Sequence, residues 1–177
     1  EAESFMDDDG YELGKRVPIK VKFTVKGDEA TLDLSDVSPQ VRGFYNSGYS
    51  TAIACAQVAY KCLTSPTDYP INDGSFRSLT VIAPPGRVVS AVKPAAMRRW
   101  MTFPMTIVDT IFKAVAPAIP DRVAAGHHAD LIIAQFIGFT NNQFIFAGLS
   151  HAGGGWGAKK TEDGVSATIA MNDGDTH

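Results

Sequence analysis

The sequence predicts an α+β fold in which a mostly antiparallel β-sheet packs with two principal helices. Residues 17–36 alternate apolar and polar side chains with a period of two, as strands do. Residues 50–63 and 104–115 instead repeat apolar side chains every three or four positions, as helices do. Strands and helices are not interleaved in a β–α–β order, which favours this class over α/β.

The first predicted element is a β-hairpin over residues 17–36, VPIKVKFTVKGDEATLDLSD. The alternation breaks at Lys26–Glu29, where glycine and aspartate favour a tight turn. One face is apolar and is expected in the core, while Lys20, Lys22 and Thr24 face solvent. The apolar positions are Ile19, Val21, Phe23, Val25, Leu32 and Leu34.

A loop over residues 38–50 leads into the first predicted helix, which Ser50 or Thr51 can cap. Its apolar stripe consists of Ile53, Ala56, Tyr60 and Leu63. Pro66 ends it, and Asn72–Gly74 is a turn signal in the loop that follows.

Residues 77–86 are expected to form a short buried strand that two prolines end, whereas residues 87–100 fit either extended chain or loop. The second predicted helix begins at Pro104, because proline suits the first turn, and Pro117 and Pro120 close it. Its apolar stripe consists of Ile107, Val108, Ile111, Phe112 and Val115.

Three strands are predicted in the last third of the chain. Two apolar runs, DLIIAQFIGF and QFIFAGLS, flank Thr140–Asn142 and should pair with each other. Residues 164–171, GVSATIAM, alternate again and are expected to form the third strand.

Composition excludes several classes of protein. The 177 residues allow one domain, 45% of them are apolar, and the net charge of -3 offers no basic stripe for nucleic acid. No apolar run is long enough to span a membrane, so a cytoplasmic protein is expected. Cys55 and Cys62 lie about 10.5 Å apart along a helix, too far for a disulfide, and are expected to be buried thiols.

The glycine-rich loop from Gly153 to Ala158 formally matches the dinucleotide-binding pattern G-x-G-x-x-[GA]. That pattern works by opening a helix whose amino end holds the pyrophosphate, whereas KKTEDG leads here into a strand-like alternation. Two interpretations remain. The loop is either a plain connection between strands, or it lines a site in which Trp156 covers the pocket. The density of glycine favours the site loop.

Histidines and acids supply further candidates. His127, His128 and Asp130 lie close together, and in extended chain only one of the two histidines can face a given site. The run FMDDDG is typical of a solvated turn, although its carboxylates suit a cation if other groups converge.

Four strings resemble the B subunit of the ATP-dependent hydantoinase, 5-oxoprolinase and acetone or acetophenone carboxylase family. They are FMDDDGYELGKRVPIKVKFTVKGDEATLDLSDVSPQVRG, NDGSFRSLTVIAPPG, DRVAAGHHADL and GGGWGAKKTEDGVSATIAMNDGDTH. Relatives are longer, so residues 1–177 are expected to be a single domain or a central fragment that lacks both terminal parts. Such a fragment is expected to be inactive alone.

The resemblance implies a two-component chemistry. A partner A subunit, an actin-like ATPase, phosphorylates a cyclic amide or a ketone enolate, and the B subunit completes hydrolysis or carboxylation. ATP and a divalent metal are expected elsewhere in the complex, and no metal ligand is assigned to this chain. The first interpretation is a hydantoinase of the N-methylhydantoinase B type; the alternatives are an acetone or acetophenone carboxylase subunit and a non-catalytic scaffold.

Within this interpretation the glycine loop shapes the substrate pocket. The predicted substrate-binding residues are Gly153, Gly154, Gly155, Trp156, Gly157, His128 and Asp130. The predicted catalytic residues are Asp163, Asp175 and His177.

Overall fold

A four-stranded sheet, a separate hairpin and two α-helices make up the part of the chain that the structure describes. This computed structural model covers residues 1–65, 70–97, 104–128 and 131–166, with the backbone alone at 131–133, 135 and 149–153. The predicted α+β class is confirmed.

The four-stranded sheet has the order β1-β2-β3-β4. Its strands are β1 (Ala2–Met6), β2 (Val17–Lys26), β3 (Glu29–Asp33) and β4 (Leu79–Ile82). The long strand β2 pairs antiparallel with β1 through its first half and with β3 through its second half. The predicted hairpin is therefore confirmed, with Gly27 in the left-handed region at its turn.

Strands β3 and β4 are parallel, with Ala30 opposite Leu79, and α1 (Tyr49–Thr64) lies between them in the chain. The expectation that no β–α–β order occurs is wrong here. Parallel neighbours need a long connection between them. Here that connection consists of α1 and the long loops on both sides of it, which make the crossover hard to see in the sequence. β4 is an edge strand and only half-buried, so its predicted full burial is also wrong.

Both helices cover one face of the sheet. Helix α2 (Pro104–Val115) contacts β1, β2 and α1, and α1 also contacts β4. The alternate positions Val17, Ile19 and Val21 of β2 point into this core, while Lys20 and Lys22 face solvent as predicted. Fully buried side chains of the core include Leu32, Leu34, Val37, Cys55, Val88, Val89, Ile107 and Ile111.

Three details differ from the sequence expectations. Val25 is exposed, because it pairs with Ala30 next to the hairpin turn, at the end of the strand. Gly48 is the amino-terminal cap of α1 and supplies no side-chain hydrogen bond, so neither Ser50 nor Thr51 caps it. Cys62 is exposed in the last turn of α1, whereas Cys55 is buried as predicted.

The separate hairpin consists of β5 (Leu131–Thr140) and β6 (Gln143–Gly153) and confirms the predicted pair. Its turn residues Asn141 and Asn142 both have positive φ angles of 47° and 62°, which suit the twist of a two-residue hairpin turn. Large apolar side chains on it are more than half exposed, namely Phe136, Ile137, Phe139, Phe144, Ile145 and Phe146.

The third strand predicted for this region, residues 164–171, is not a strand at 164–166, and its remainder lies outside the described residues. Neither helix in the described ranges has the length and apolar character needed to cross a membrane.

Candidate functional site

A groove of about 720 Å³ runs along one side of α2 and is called the α2 groove below. Four segments form its walls: β1 at Ser4, α2 itself, residues 120–127 after it, and residues 158–160 at the end of the glycine loop. Side chains and backbone that line it include Thr106, Asp109, Phe112, Lys113, Val123, His127, Lys159 and Lys160.

Asp109 and His127 form a close pair in this groove. Oδ1 of Asp109 lies 2.6 Å from Nδ1 of His127, and its Oδ2 accepts the backbone N–H of His127 at 3.2 Å. The side chains are 8% exposed for His127 and 16% exposed for Asp109. One carboxylate therefore fixes both the backbone and the ring of this histidine.

The other ring nitrogen of His127, Nε2, is buried and has no hydrogen-bond partner among the described residues. Buried polar atoms in proteins are nearly always paired, because an unpaired one loses its hydrogen bond to water without replacement. A carboxylate, an oriented imidazole and a free ring nitrogen are the parts of a general acid–base pair. The arrangement is thus able to move a proton.

The glycine loop packs against the segment that carries this pair. The backbone N–H of Ala125 donates to the carbonyl of Ala158 at 2.8 Å, and that of His128 donates to the carbonyl of Gly155 at 3.1 Å. Within the loop, Trp156 N–H donates to the carbonyl of Val165 at 2.9 Å. The loop folds back on itself and forms one side of the α2 groove.

Close backbone approach explains why glycine occupies these positions. A Cβ atom at Gly157 would lie 2.0 Å from the carbonyl oxygen of Ala125, and one at Gly164 would lie 1.8 Å from that of Trp156. Gly155 has a φ of 97°, which other residues rarely adopt. The glycine density therefore has a packing cause, whatever ligand the loop receives.

The predicted site residues fall into three groups. Gly154, Gly155, Gly157 and His128 lie together, since a Cβ at Gly154 would meet the His128 side chain. Trp156 in the same loop is 48% exposed, and Gly153 is the last residue of β6. Asp163 is exposed on the far part of the loop, and three further candidates lie outside the described residues: Asp130, Asp175 and His177.

Lysines surround the α2 groove. Nζ of Lys113 donates a hydrogen bond to the backbone carbonyl of Glu3 at 2.9 Å, so its partner in this bond is an uncharged group. Lys159 pairs with Glu162 at 2.5 Å and Lys160 with Asp121 at 2.8 Å, both on the surface. Such exposed pairs contribute little to stability.

The aspartate run binds backbone groups. Asp9 is 2% exposed, and its carboxylate accepts the N–H groups of Glu12, Tyr11 and, across the fold, Gly43. Burial alone would raise the pKa of Asp9, but these N–H donors outweigh it and hold the pKa below its ordinary value. Within the described part of the chain, no three His, Cys, Asp or Glu side chains converge as a metal site would require.

Sequence reasoning did not pair Asp109 with His127. Asp109 lies 18 positions before His127, and the apolar pattern of α2 drew attention to its neighbours instead. The sequence feature that could have pointed to this pair is that Asp109 is the one acidic residue of a mostly apolar helix.

Comparison with known proteins identifies the family. A family model described as hydantoinase B/oxoprolinase matches residues 1–177. The chain belongs to the hydantoinase B/oxoprolinase family. The resemblance noted in its sequence is confirmed.

Relatives of this hydantoinase B/oxoprolinase chain are longer. It is 29% identical to the putative B subunit of a D-/L-hydantoinase of a Pseudomonas species, over 96% of this chain and 30% of that protein. The crystal structure of the ATP-dependent caprolactamase from Pseudomonas jessenii superposes with a TM-score of 0.71 at 25% identity, over 94% of this chain and 29% of that one.

A nucleotide-free structure of acetone carboxylase also shares the fold. Its TM-score is 0.69 at 17% identity, over 92% of this chain and 22% of that one. The chain thus spans less than a third of the length of each of these three proteins.

Proposed function

We propose that this chain is part of the B subunit of an ATP-dependent hydantoinase, which hydrolyses the ring amide of a hydantoin or lactam after a partner A subunit has phosphorylated it. The observation that carries the proposal is the family match over residues 1–177. It is supported by 29% identity, over 96% of the chain, to a protein described as the B subunit of a hydantoinase.

The chemistry explains the division of labour. An amide carbon is a poor electrophile, and phosphorylation of its oxygen turns that oxygen into part of a leaving group. Water must then attack in a site that keeps bulk solvent away. The α2 groove, with its buried Asp109–His127 pair and its glycine-loop wall, suits that second half of the reaction.

The first half belongs to the partner in this proposal. The glycine loop runs from β6 into irregular chain at 154–166, so it lacks the helix start that a nucleotide-binding loop needs. ATP is assigned to an A-type ATPase subunit, and a divalent metal to parts of the complex other than the described residues.

The test is substrate-dependent ATP turnover by the full-length polypeptide assembled with its A-type partner. We expect ADP release and ring opening with hydantoins, and less or none with acetone or acetophenone plus bicarbonate. Turnover that depends on ketone and bicarbonate alone would assign the chain to the carboxylase alternative. A complex whose ATP turnover depends on none of a hydantoin, a lactam, or a ketone with bicarbonate would contradict the proposal.

A scaffold role is the second candidate, because the exposed apolar side chains of the β5–β6 hairpin suit an interface. Trp156→Ala in the intact complex separates the two. Loss of turnover in a complex that still assembles supports a site at the glycine loop, whereas loss of assembly with full activity in the remaining complex supports a scaffold.

A further inference from the structure

We propose that His127 accepts the proton of the attacking water in the α2 groove and that Asp109 is its positioning residue. The inference rests on the proposed function, because it requires a phosphorylated cyclic amide from the partner ATPase. It concerns two residues that the family match itself does not single out.

The two contacts of Asp109 select one form of the histidine. An ionised carboxylate only accepts hydrogen bonds, so Nδ1 of His127, 2.6 Å from Oδ1, carries the hydrogen. The lone pair of the neutral ring then lies on Nε2. The second contact, from the backbone N–H of His127 to Oδ2 at 3.2 Å, fixes the chain beneath the ring. This is the tautomer that a general base needs.

The burial of the His127 side chain also favours its role as a general base. The His127 side chain is only 8% exposed, yet Nε2 has no hydrogen-bond partner among the described residues. A buried acceptor without a partner is rare. A water molecule or the N–H of a hydantoin ring supplies the missing donor, and both belong to the proposed reaction.

The step balances without a further reactant. One O–H bond of the water breaks and its proton moves to Nε2 of His127. The water oxygen bonds to the ring carbon that carries the phosphoryl oxygen, and the electron pair of the C=N bond moves onto the ring nitrogen, which takes the proton from Nε2. The C–N bond then breaks as the remaining hydroxyl proton of the adduct follows to the same nitrogen. The ring opens to an N–H2 group and an acyl phosphate, which water hydrolyses to carboxylate and phosphate. Asp109 stabilises the imidazolium that forms, as a carboxylate beside a general base does.

The charged side chains that line the groove together with His127 come from two segments. They are Asp109 and Lys113 of α2, and Lys159 and Lys160 at the end of the glycine loop. Lys160 is paired with Asp121 and Lys159 with Glu162, which leaves Asp109 as the charged group bonded to the ring itself. Asp109 is therefore the side chain whose replacement tests how the ring is held.

A carboxylate-bound histidine is also typical of metal sites, where the other ring nitrogen binds the ion. Among the described residues no third ligand converges with this pair. The general-base role therefore makes a distinct prediction, namely that metal content does not depend on His127.

The test uses the full-length polypeptide with its partner ATPase and a hydantoin, and it measures ADP release, ring opening and metal content separately. We expect His127→Gln to lower kcat for ring opening by about 100-fold with little change in KM. Asp109→Asn should also lower kcat by about 100-fold, because the ring loses the carboxylate that holds its tautomer, and Asp109→Glu should restore part of it. The matched control Asp28→Asn, an exposed acid in the turn between β2 and β3, should keep wild-type kcat.

The pH profile gives a second readout that needs no His127 variant. Wild-type kcat should fall as the pH drops, because an imidazolium cannot accept a proton. Asp109→Asn should lower kcat at every pH on this profile, because the ring is no longer held in the tautomer that a general base needs. These measurements remain decisive even if His127→Gln does not fold.

Three results would overturn the inference while the proposed function stands: wild-type kcat and pH profile in His127→Gln, loss of a bound metal ion in that variant, or a wild-type profile without an acid limb. A wild-type complex without substrate-dependent turnover overturns both proposals.

Discussion

Single buried polar residues hold the irregular parts of this fold. Asp9 binds the backbone N–H of Gly43, which lies 34 positions away, through Oδ2 at 2.9 Å. The amide of Asn46, fully buried, bonds the backbone of Val41 in both directions and reaches the carbonyl of Ala96. Both groups have their partners, in contrast to Nε2 of His127. Oγ of Ser47 is also buried without a partner among the described residues, but Ser47 does not line the α2 groove, whereas His127 does. The unsatisfied atom beside a groove is the one that points to a ligand.

The first prediction concerns Asp9. Replacing it by Asn leaves buried N–H donors without a carboxylate, and the free energy of unfolding should fall by about 1 to 3 kcal/mol at neutral pH. The folded-state pKa of Asp9 lies below its ordinary value, so its contribution is present above the unfolded pKa and is lost as the pH falls through the folded one. The difference between wild type and Asp9→Asn should therefore shrink in acid.

Urea unfolding at neutral and acid pH measures this effect, with Asp7→Asn as the control. Asp7 belongs to the same acidic run but is exposed. Equal losses in the two variants, or a difference that grows in acid, would contradict the role assigned to Asp9.

The second prediction concerns the two thiols. Burial raises the pKa of Cys55 to about 12, so almost no thiolate is available at pH 8, and the surrounding core blocks access. Cys62 is exposed on the last turn of α1. Labelling of the native protein with a maleimide should modify Cys62 and spare Cys55, as peptide mass mapping can establish. Labelling of Cys55 at the same rate as Cys62 would mean that α1 opens readily.

At the scale of elements, the glycine loop owes its composition to packing. The loop and residues 125–128 approach so closely that a methyl group has no room at Gly154 or Gly157. Their hydrogen bonds join the loop to the chain beside Asp109 and His127. The loop thereby sets the width of the α2 groove.

The third prediction follows from this contact. Gly157→Ala places a Cβ 2.0 Å from the carbonyl oxygen of Ala125, and relief of the clash should cost about 1 to 3 kcal/mol. Gly148→Ala in β6 is the matched control, because nothing lies within 4 Å of its Cβ position. Hydrogen exchange should speed up at Ala125 and His128 in Gly157→Ala and stay unchanged in the control. Equal hydrogen-exchange protection of Ala125 and His128 in both variants would show that the glycine loop does not stabilise residues 125–128.

Periodicity predicted the elements better than it predicted their partners. Local patterns suffice for β2, β3 and α2, because each repeats its buried side chains at its own period. The parallel pairing of β3 with β4 depends on chain between residues 34 and 78, which no local pattern encodes. The Asp109–His127 pair was missed for the same reason: an 18-residue separation brings together two residues that no motif links.

At the scale of the whole molecule, the β5–β6 hairpin stands apart from the sheet. Its strands pair with each other, and neither joins the four-stranded sheet. Phe139 and Phe144 face each other across it with ring centroids 6.1 Å apart, and they are 64% and 61% exposed. Such a ribbon is marginal in water by itself and presents apolar surface to other molecules.

The fourth prediction is that this ribbon controls the association of the 177-residue polypeptide. Combining Phe139→Lys with Phe144→Glu keeps a favourable cross-strand pair while it removes two exposed rings. Binding of an apolar dye and concentration-dependent light scattering should both decrease, with the circular dichroism unchanged. Leu13→Glu, a change at an isolated exposed leucine, should alter neither quantity. Equal dye binding and scattering in the double variant and wild type would mean that another surface drives association, since these rings are the largest apolar groups at the tip of the hairpin.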